Sequence, residues 1–456
     1  MWKPTRKLAA WIALALLAGA CAGPPSSRGA LRDVRPNVVV IVSDDQGWGD
    51  VGYHDASLRT PHMDTLARTG VELDQHYVQP QCTPTRVALM TGRYPSRFGA
   101  HCTTASNQRS LPPGTPTLAS MLKSRGYATA LAGKWHLGSK AEWGPNHYGF
   151  DSSYGSLAGA IGMYDHRYRI GNPFEETWHR DHEFLVEEGH STDLLAAEAV
   201  RVIEEPREEP FFLYVPFHAV HVPIVERDER WAQENAHIES PDRRAFAAAL
   251  THLDDAVGTI VAALERTGQR ENTLIVFTSD NGGLRNHGGN TYPPPDPALR
   301  EFSSNAPLRG QKTQAFEGGI RVPAFVSWPA RLEPRVVRAP LHAVDWMPTL
   351  AALVDWTPEE LPEWDGRDIW GLLAGTEVAQ ERRLYWRWGR AWDALRVGDW
   401  KIVRRNGQKD GKRQEGEWKL FHLAVDPYEE RDLAAEQPAR IQELARQFEL
   451  ESRSDA

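Results

Sequence analysis

The stretch Asn37-Val38-Val39-Val40-Ile41-Val42-Ser43-Asp44-Asp45 decides the fold of this chain. Its apolar part is continuous and rich in β-branched residues, which is typical of a parallel strand covered on both faces. It ends in two adjacent carboxylates, which repel each other unless a cation neutralises them; a solvated acidic turn is the alternative interpretation. We therefore expect a central strand with polar chemistry at its carboxyl end.

Three further apolar runs, 127–132, 210–216 and 273–278, also predict buried strands. Helices are predicted between the strands, which indicates an α/β fold with a mostly parallel sheet and right-handed crossovers. In such sheets ligands bind beyond the carboxyl ends of the strands, so the polar residues that follow the three runs should meet Asp44 and Asp45 at one edge. These residues are Lys134 and His136, then His218 and His221, then Asp280 and Asn281.

The pattern changes at about residue 378. Short strands separated by glycine turns predict a smaller antiparallel sheet, followed by a helix over residues 437–450. We therefore divide the chain into a large α/β unit over residues 35–377, whose sheet is sandwiched by helices, and a C-terminal subdomain over residues 378–456. Residues 286–305, rich in Gly, Pro and Asn, predict an irregular surface loop.

The N-terminus predicts export. Basic residues precede an apolar run, 8–20, that is too short to span a bilayer comfortably. Ala18-Gly19-Ala20-Cys21 then resembles a bacterial lipoprotein cleavage box with Cys21 as the lipidated residue, and ordinary cleavage near Ala20 is the alternative. We predict a signal peptide over residues 1–21, a linker over residues 22–34, and a periplasmic or cell-surface lipoprotein. The net charge of −9 argues against a nucleic-acid partner.

Cys82-Thr83-Pro84-Thr85-Arg86 contains the candidate nucleophile. A helix predicted just after Cys82 would place this thiol at a positive helix N-terminus. A buried thiol, or a disulfide with Cys102, is the alternative. Because an exported chain with three cysteines is not held together by disulfides, its stability has to come from its core.

Four oxygen-bearing residues form the candidate metal site: Asp44, Asp45, Asp280 and Asn281. Carboxylate and amide oxygens are hard ligands that suit Ca²⁺ or Mg²⁺, whereas Zn²⁺ prefers His and Cys. Positive charge comes from Arg86, Lys134, Lys312 and Arg321, and His136 and His221 can move protons. A divalent cation with fixed cations around it fits transfer of the central atom of an oxyanion ester, and sulfate and phosphate esters both qualify.

The motif set resembles that of the type I sulfatases. Cys82-x-Pro84-x-Arg86 followed by Thr91-Gly92-Arg93 is similar to the family signature, and residues 133–138, 279–282 and 310–323 are similar to its other motifs. The motif order is most similar to the arylsulfatase and N-acetylgalactosamine-4-sulfatase branch. The resemblance implies an alkaline-phosphatase-like fold and hydrolysis of a sulfated carbohydrate or an aryl sulfate.

The resemblance also implies a mechanism. A formylglycine-generating enzyme would convert Cys82 to formylglycine (3-oxoalanine), whose hydrate would attack sulfur and later release sulfate. Ca²⁺, with Mg²⁺ as the alternative, would be held by Asp44, Asp45, Asp280, Asn281 and the group at position 82. By the same resemblance, Arg86 and Lys134 would hold the nucleophile and its charge. His136 would accept a proton, and Lys312 and His221 would bind sulfate and protonate the leaving group.

Two other functions remain open at this stage. A phosphonate monoester or phosphodiester hydrolase can share the same nucleophile. A surface lipoprotein that binds glycans with an unconverted Cys82 is the non-enzymatic alternative.

Overall fold

The structure is a computed structural model. It describes residues 35–168, 175–289, 296–358, 362–410 and 412–456, together with Met1 and Tyr292. The predicted signal peptide beyond Met1, the lipidation site at Cys21 and the whole of the linker lie outside the described residues. Export and lipidation therefore stay predictions.

A large mixed sheet forms the centre of the molecule. Among the described residues it has ten strands, and its five middle strands are parallel. The central strand Asn37–Ser43 pairs with Phe211–Pro216 on one side and with Thr273–Ser279 on the other, as the sequence predicts. In spatial order the strands are Arg335–Val337, Val71–Leu73, Ala324–Ser327, Thr273–Ser279, Asn37–Ser43, Phe211–Pro216, Ala128–Lys134, Ser152–Ser156, Trp178–Arg180 and Glu183–Phe184.

The side chains of the central strand alternate between two hydrophobic clusters. Val38, Val40 and Val42 belong to one cluster, and Val39 and Ile41 belong to the other. All five are at most 1% exposed. The strand is therefore covered on both faces, which confirms the expected sandwich of helices around the sheet.

Helices cover both faces of the sheet. Cys82–Thr91, Leu118–Ser124 and Trp346–Leu353 contribute to the first cluster, and Pro61–Thr69, Ser191–Glu204 and Pro241–Arg266 contribute to the second. Pro241–Arg266 is long and apolar enough to cross a membrane, but most of it is buried inside the protein, as in the core helix of a soluble protein. The remaining α-helices of the described residues are Glu229–Glu234, Glu317–Ile320, Trp370–Ala374 and Pro438–Ser452.

The prediction for residues 286–305 was incomplete. The described part of this segment contains a short antiparallel pair, Asn286–His287 with Leu299–Arg300. Two-residue strands are too short to produce an alternating sequence pattern, so the composition alone indicated a loop.

The C-terminal region forms the smaller antiparallel sheet that the sequence predicts. In the described residues its four strands are, in order, Arg383–Trp388, Trp392–Val397, Trp400–Arg405 and Lys419–His422, and Pro438–Ser452 is the final helix. Leu395 and Phe448 lie in the same hydrophobic cluster as Val38 of the large sheet. The two units thus share apolar packing, and the boundary near residue 378 stays a prediction.

Candidate active site

Cys82 is the first residue of the helix Cys82–Thr91 and is 3% exposed. Gln81 before it is extended. Gly92 caps the C-terminus of the helix with a left-handed φ of 71°, and its N–H donates to the Ala88 carbonyl. Both described cysteines, Cys82 and Cys102, are free thiols, so the alternative of a disulfide between them is wrong. Burial raises the pKa of Cys82, against the opposing effect of nearby lysines.

The four predicted strand ends do meet at one edge. The ligand atoms of Asp44, Cys82 and Asp280 all lie within 4.8 Å of one another, and so do those of Asp44, Asp45 and His221. Asp45 adopts a left-handed conformation (φ 63°) directly after the central strand, and its N–H donates to Asp280 Oδ1 at 3.3 Å. The strand register places Ser43 beside Ser279, so the residues that follow each strand leave the sheet side by side.

Each carboxylate of the site has its own cation. Arg86 donates to Asp280 Oδ2 from Nη2 at 2.8 Å and from Nε at 3.2 Å. Lys134 Nζ lies 2.5 Å from Asp44 Oδ2, and both side chains are fully buried. Lys312 Nζ lies 2.7 Å from Asp45 Oδ1. Among the described residues these three carboxylates and three cations balance to zero formal charge, which lowers the large cost of burying each charge alone.

Two buried oxygens at this edge, Asp44 Oδ1 and Asn281 Oδ1, have no hydrogen-bond partner among the residues that the structure describes. Asn281 Nδ2 donates to Asp45 Oδ1 at 2.8 Å, which fixes the amide with its oxygen free. An unpaired buried acceptor is costly, and a hard cation is the partner that such oxygens bind best. The donor set therefore fits a divalent oxygen-binding metal.

The pKa values of the two adjacent carboxyls move in opposite directions. Burial and the neighbouring Asp280 raise the pKa of Asp44 to about 7. Burial acts in the same sense on Asp45, but the Lys312 ammonium and His221 outweigh it and lower the pKa of Asp45 to about 2. A cation at this position would favour the ionised form of Asp44 as well.

His136 and His221 are both neutral imidazoles near neutral pH. Burial and Lys134 lower the pKa of His136 well below its usual range, and its buried Nδ1 has no hydrogen-bond partner in the described part of the chain. Burial and Lys312 lower the pKa of His221 to about 3. His221 Nδ1 donates to the Val222 carbonyl at 2.5 Å, so Nε2, 3.6 Å from Asp45 Oδ2, carries the free electron pair.

One sequence expectation changes in detail. Arg321 pairs with Asp74 and not with a carboxylate of the site in the described residues, since its Nη2 lies 3.0 Å from Asp74 Oδ1 and its Nε donates to the Asp74 carbonyl. Asn305, which the sequence analysis missed, accepts from Gly283 N–H at 2.7 Å and donates to the Gly310 carbonyl at 3.2 Å. It joins the turn after Asn281 to the loop of Lys312. A polar residue in an irregular segment carries no pattern that would have revealed this contact.

Comparison with known proteins assigns the family. A family model described as Sulfatase matches residues 36–356. Arylsulfatase J of Mus musculus is 32% identical over 91% of this chain and 75% of its own length, and N-acetylgalactosamine-6-sulfatase of Rattus norvegicus is 30% identical over 80% and 74%. The crystal structure of Ps i-CgsB in complex with k-i-k-neocarrahexaose has a TM-score of 0.79 and 30% identity over 92% of this chain and 94% of that one.

The chain therefore belongs to the sulfatase family and is a sulfuric ester hydrolase of the alkaline-phosphatase-like fold. Sulfatases are in general metal-dependent enzymes with a formylglycine, and the clusters around Asp44 are possible metal-binding groups.

Proposed function

We propose that this chain hydrolyses sulfate esters of carbohydrates with a formylglycine made from Cys82 and a bound Ca²⁺. The observation that carries this proposal is the convergence of Cys82, Asp44 and Asp280 within 4.8 Å, beside two buried oxygens that lack partners among the described residues. Asp44, Asp45, Asp280 and Asn281 would hold the ion. Ca²⁺ would supply Lewis-acid activation, and a hydrated formylglycine would supply the nucleophile.

The fixed cations would bind the sulfate group and its developing charge. Lys134 and Lys312 both act electrostatically on the group at position 82, which also lies at the positive N-terminus of its helix. Arg86 is held rigidly by Asp280 and by the Lys134 carbonyl, to which its Nη1 donates at 2.6 Å. Because these groups are buried and already oriented, they need little reorganisation during the reaction.

The histidines would move the protons. The unpartnered Nδ1 of neutral His136 suits a base that takes a proton when sulfate is released. His221 Nε2 also carries a free electron pair. It would have to gain a proton before it could protonate the leaving alcohol, and the binding of an anionic ester beside it would favour that gain.

The substrate class rests on the similarity to Ps i-CgsB, whose structure contains k-i-k-neocarrahexaose. We propose a sulfated carbohydrate for this chain, with an aryl sulfate as the simpler alternative substrate. The formylglycine-generating enzyme would act on the chain before activity appears.

The test uses the full chain, coexpressed with a formylglycine-generating enzyme. Mass spectrometry of the peptide that contains Cys82 should show the aldehyde or its hydrate; an intact thiol in active protein would refute the nucleophile. Sulfate release from sulfated oligosaccharides and from an aryl sulfate is then compared with turnover of an aryl phosphonate. Faster phosphonate turnover would overturn the assignment in favour of a phosphonate monoester hydrolase. Dialysis against a chelator, followed by Ca²⁺ or Mg²⁺, identifies the ion.

A further inference from the structure

A buried ion cluster joins the C-terminal sheet to the loop that carries Lys312. Lys401, in the strand Trp400–Arg405, is fully buried. Its Nζ donates to Glu317 Oε1 at 2.8 Å and lies 2.9 Å from Glu429 Oε1. Glu317 is 1% exposed and Glu429 is fully buried, so solvent screens these charges little. Arg321 Nη1 is a more distant cation, 4.0 Å from Glu317 Oε2.

The cluster fixes the turn Glu317-Gly318-Gly319, which begins the short helix Glu317–Ile320, from several directions. The Glu317 N–H donates to Glu429 Oε2 at 2.7 Å, and Tyr77 OH donates to Glu317 Oε2 at 2.5 Å. The Glu429 carbonyl accepts from Arg309 Nη1 at 2.7 Å, and the Arg309 carbonyl accepts from the Gly318 N–H at 2.7 Å. The loop is therefore tied to the C-terminal subdomain at both its beginning and its end.

The same turn packs directly against the proposed metal ligands. The Gly282 N–H, next to Asn281, donates to the Gly319 carbonyl at 3.1 Å. A Cβ atom on Gly282 would lie 1.9 Å from the Gly318 carbonyl oxygen, so the two backbones are in close contact. Lys312 N–H donates to the Gly283 carbonyl at 3.2 Å in the same contact region. Any shift of the turn therefore moves Asn281 or Lys312.

We propose that Lys401 is a positioning residue for the metal and sulfate pocket, acting through Glu317 and the Gly318-Gly319 turn on Asn281 and Lys312. This inference rests on the proposed function, because the pocket that it organises is the one assigned above. The two glutamates close together need a cation between them, and without Lys401 they repel each other in a buried space. Glu317 is the first residue of the short helix Glu317–Ile320, so a displacement of Glu317 is passed on to Gly318 and Gly319, which contact Gly282.

The experiment compares Lys401→Met with Arg404→Met in the full chain. Arg404 is a buried cation of the same strand, but its partners, Asp393 and Glu415, both lie within the C-terminal subdomain. It therefore controls for loss of a buried charge without a connection to the pocket. Ca²⁺ affinity is measured by titration calorimetry, and thermal stability is measured on the same samples.

We expect Lys401→Met to raise the Ca²⁺ dissociation constant by about 2- to 30-fold, the usual range for an indirect coupling, and to raise KM for the sulfate ester. Arg404→Met should leave both values within a factor of about two while lowering thermal stability similarly. Adding Glu429→Gln to Lys401→Met removes the repulsion and should restore part of the affinity. Equal loss of affinity in the two single variants, or none in Lys401→Met, would overturn the inference.

Two further measurements keep the test decisive. If Lys401→Met does not fold, Glu317→Gln replaces it, because it keeps the side-chain shape and replaces the charge-assisted hydrogen bond from Lys401 to Glu317 with a weaker neutral one. It should weaken Ca²⁺ binding in the same direction but by less, and unchanged affinity would overturn the inference. Measurements on the wild-type chain distinguish failure of the proposed function from failure of this inference. Absence of Ca²⁺ binding or of sulfate release in the wild type refutes the proposed function, whereas the ratio of the Ca²⁺ dissociation constants of variant and wild type tests Lys401 alone.

Discussion

His252 should make the stability of this protein fall as the pH rises. Its ring lies in the helix Pro241–Arg266, 4% exposed, with Nδ1 2.9 Å from Glu226 Oε2 and Nε2 3.0 Å from Asp193 Oδ1. Burial opposes a charge here, but the hydrogen bonds to the two carboxylates and their negative charges outweigh it and raise the pKa of His252 from 6.5 to about 9. His252 is therefore an imidazolium near neutral pH.

The magnitude follows from proton linkage. Because the pKa in the folded state lies above the value in the unfolded chain, the stabilisation is fully present below pH 6.5 and is lost as the pH rises through about 9. The full difference corresponds to about 3 kcal/mol. Asp193 is 63% exposed, so solvent screens its share, and we expect about 2 kcal/mol in practice.

The assay is urea denaturation of the wild type and of His252→Gln at several pH values between 6 and about 9.5, the window that linkage defines. At each pH, the free energy of unfolding of the variant is subtracted from that of the wild type. This difference should be about 2 kcal/mol larger at the lowest pH than at the highest. His237→Gln, which changes an exposed histidine that contacts the Ser57 carbonyl, should keep the wild-type pH dependence. Parallel pH curves for wild type and His252→Gln would refute the reasoning.

Three other predictions concern the pocket and export. Gly282→Ala should abolish sulfate release, because its Cβ would lie 1.9 Å from the Gly318 oxygen. Gly288→Ala, whose Cβ meets no atom of the described residues within 4 Å, should be fully active, and equal activities would contradict the close packing. Lys312→Met should lower the free energy of unfolding by about 3 kcal/mol, since it removes the cation that pairs with buried Asp45. Added Ca²⁺ should restore part of this loss. Denaturation with and without Ca²⁺ measures both effects, and an unchanged midpoint would count against the ion pair. Cys21→Ser should eliminate incorporation of labelled palmitate in the native host; labelling that persists would place any lipid elsewhere.

The sequence predicts the features of this protein that depend on local pattern. The β-branched run before Asp44 predicts a central strand, and parallel topology then requires the residues after four strands to meet, which they do. The helix that begins at Cys82 also follows from its neighbours in the chain.

Contacts between distant segments could not be predicted in the same way. Lys401 and Glu317 are 84 residues apart, and His252 lies 26 residues from Glu226 and 59 from Asp193. A charged residue in a short strand is normally interpreted as solvent-exposed, and only the folded structure shows that Lys401 faces inward with Val403 and Trp386. Such pairs depend on how two units dock, which periodicity does not encode.

The strand Asn37–Ser43 also sets a spacing rule for variation in this chain. Its alternate side chains fill two separate clusters, and its end carries Asp44 and Asp45. A one-residue insertion or deletion within this strand would move the side chains that follow it to the opposite face of the sheet. The side chains of Asp44 and Asp45 would then also point in the opposite direction. Substitutions that conserve volume are tolerable at these positions, but changes in length are not. Natural and engineered variation in chain length therefore has to be confined to the loops beyond the ends of this strand.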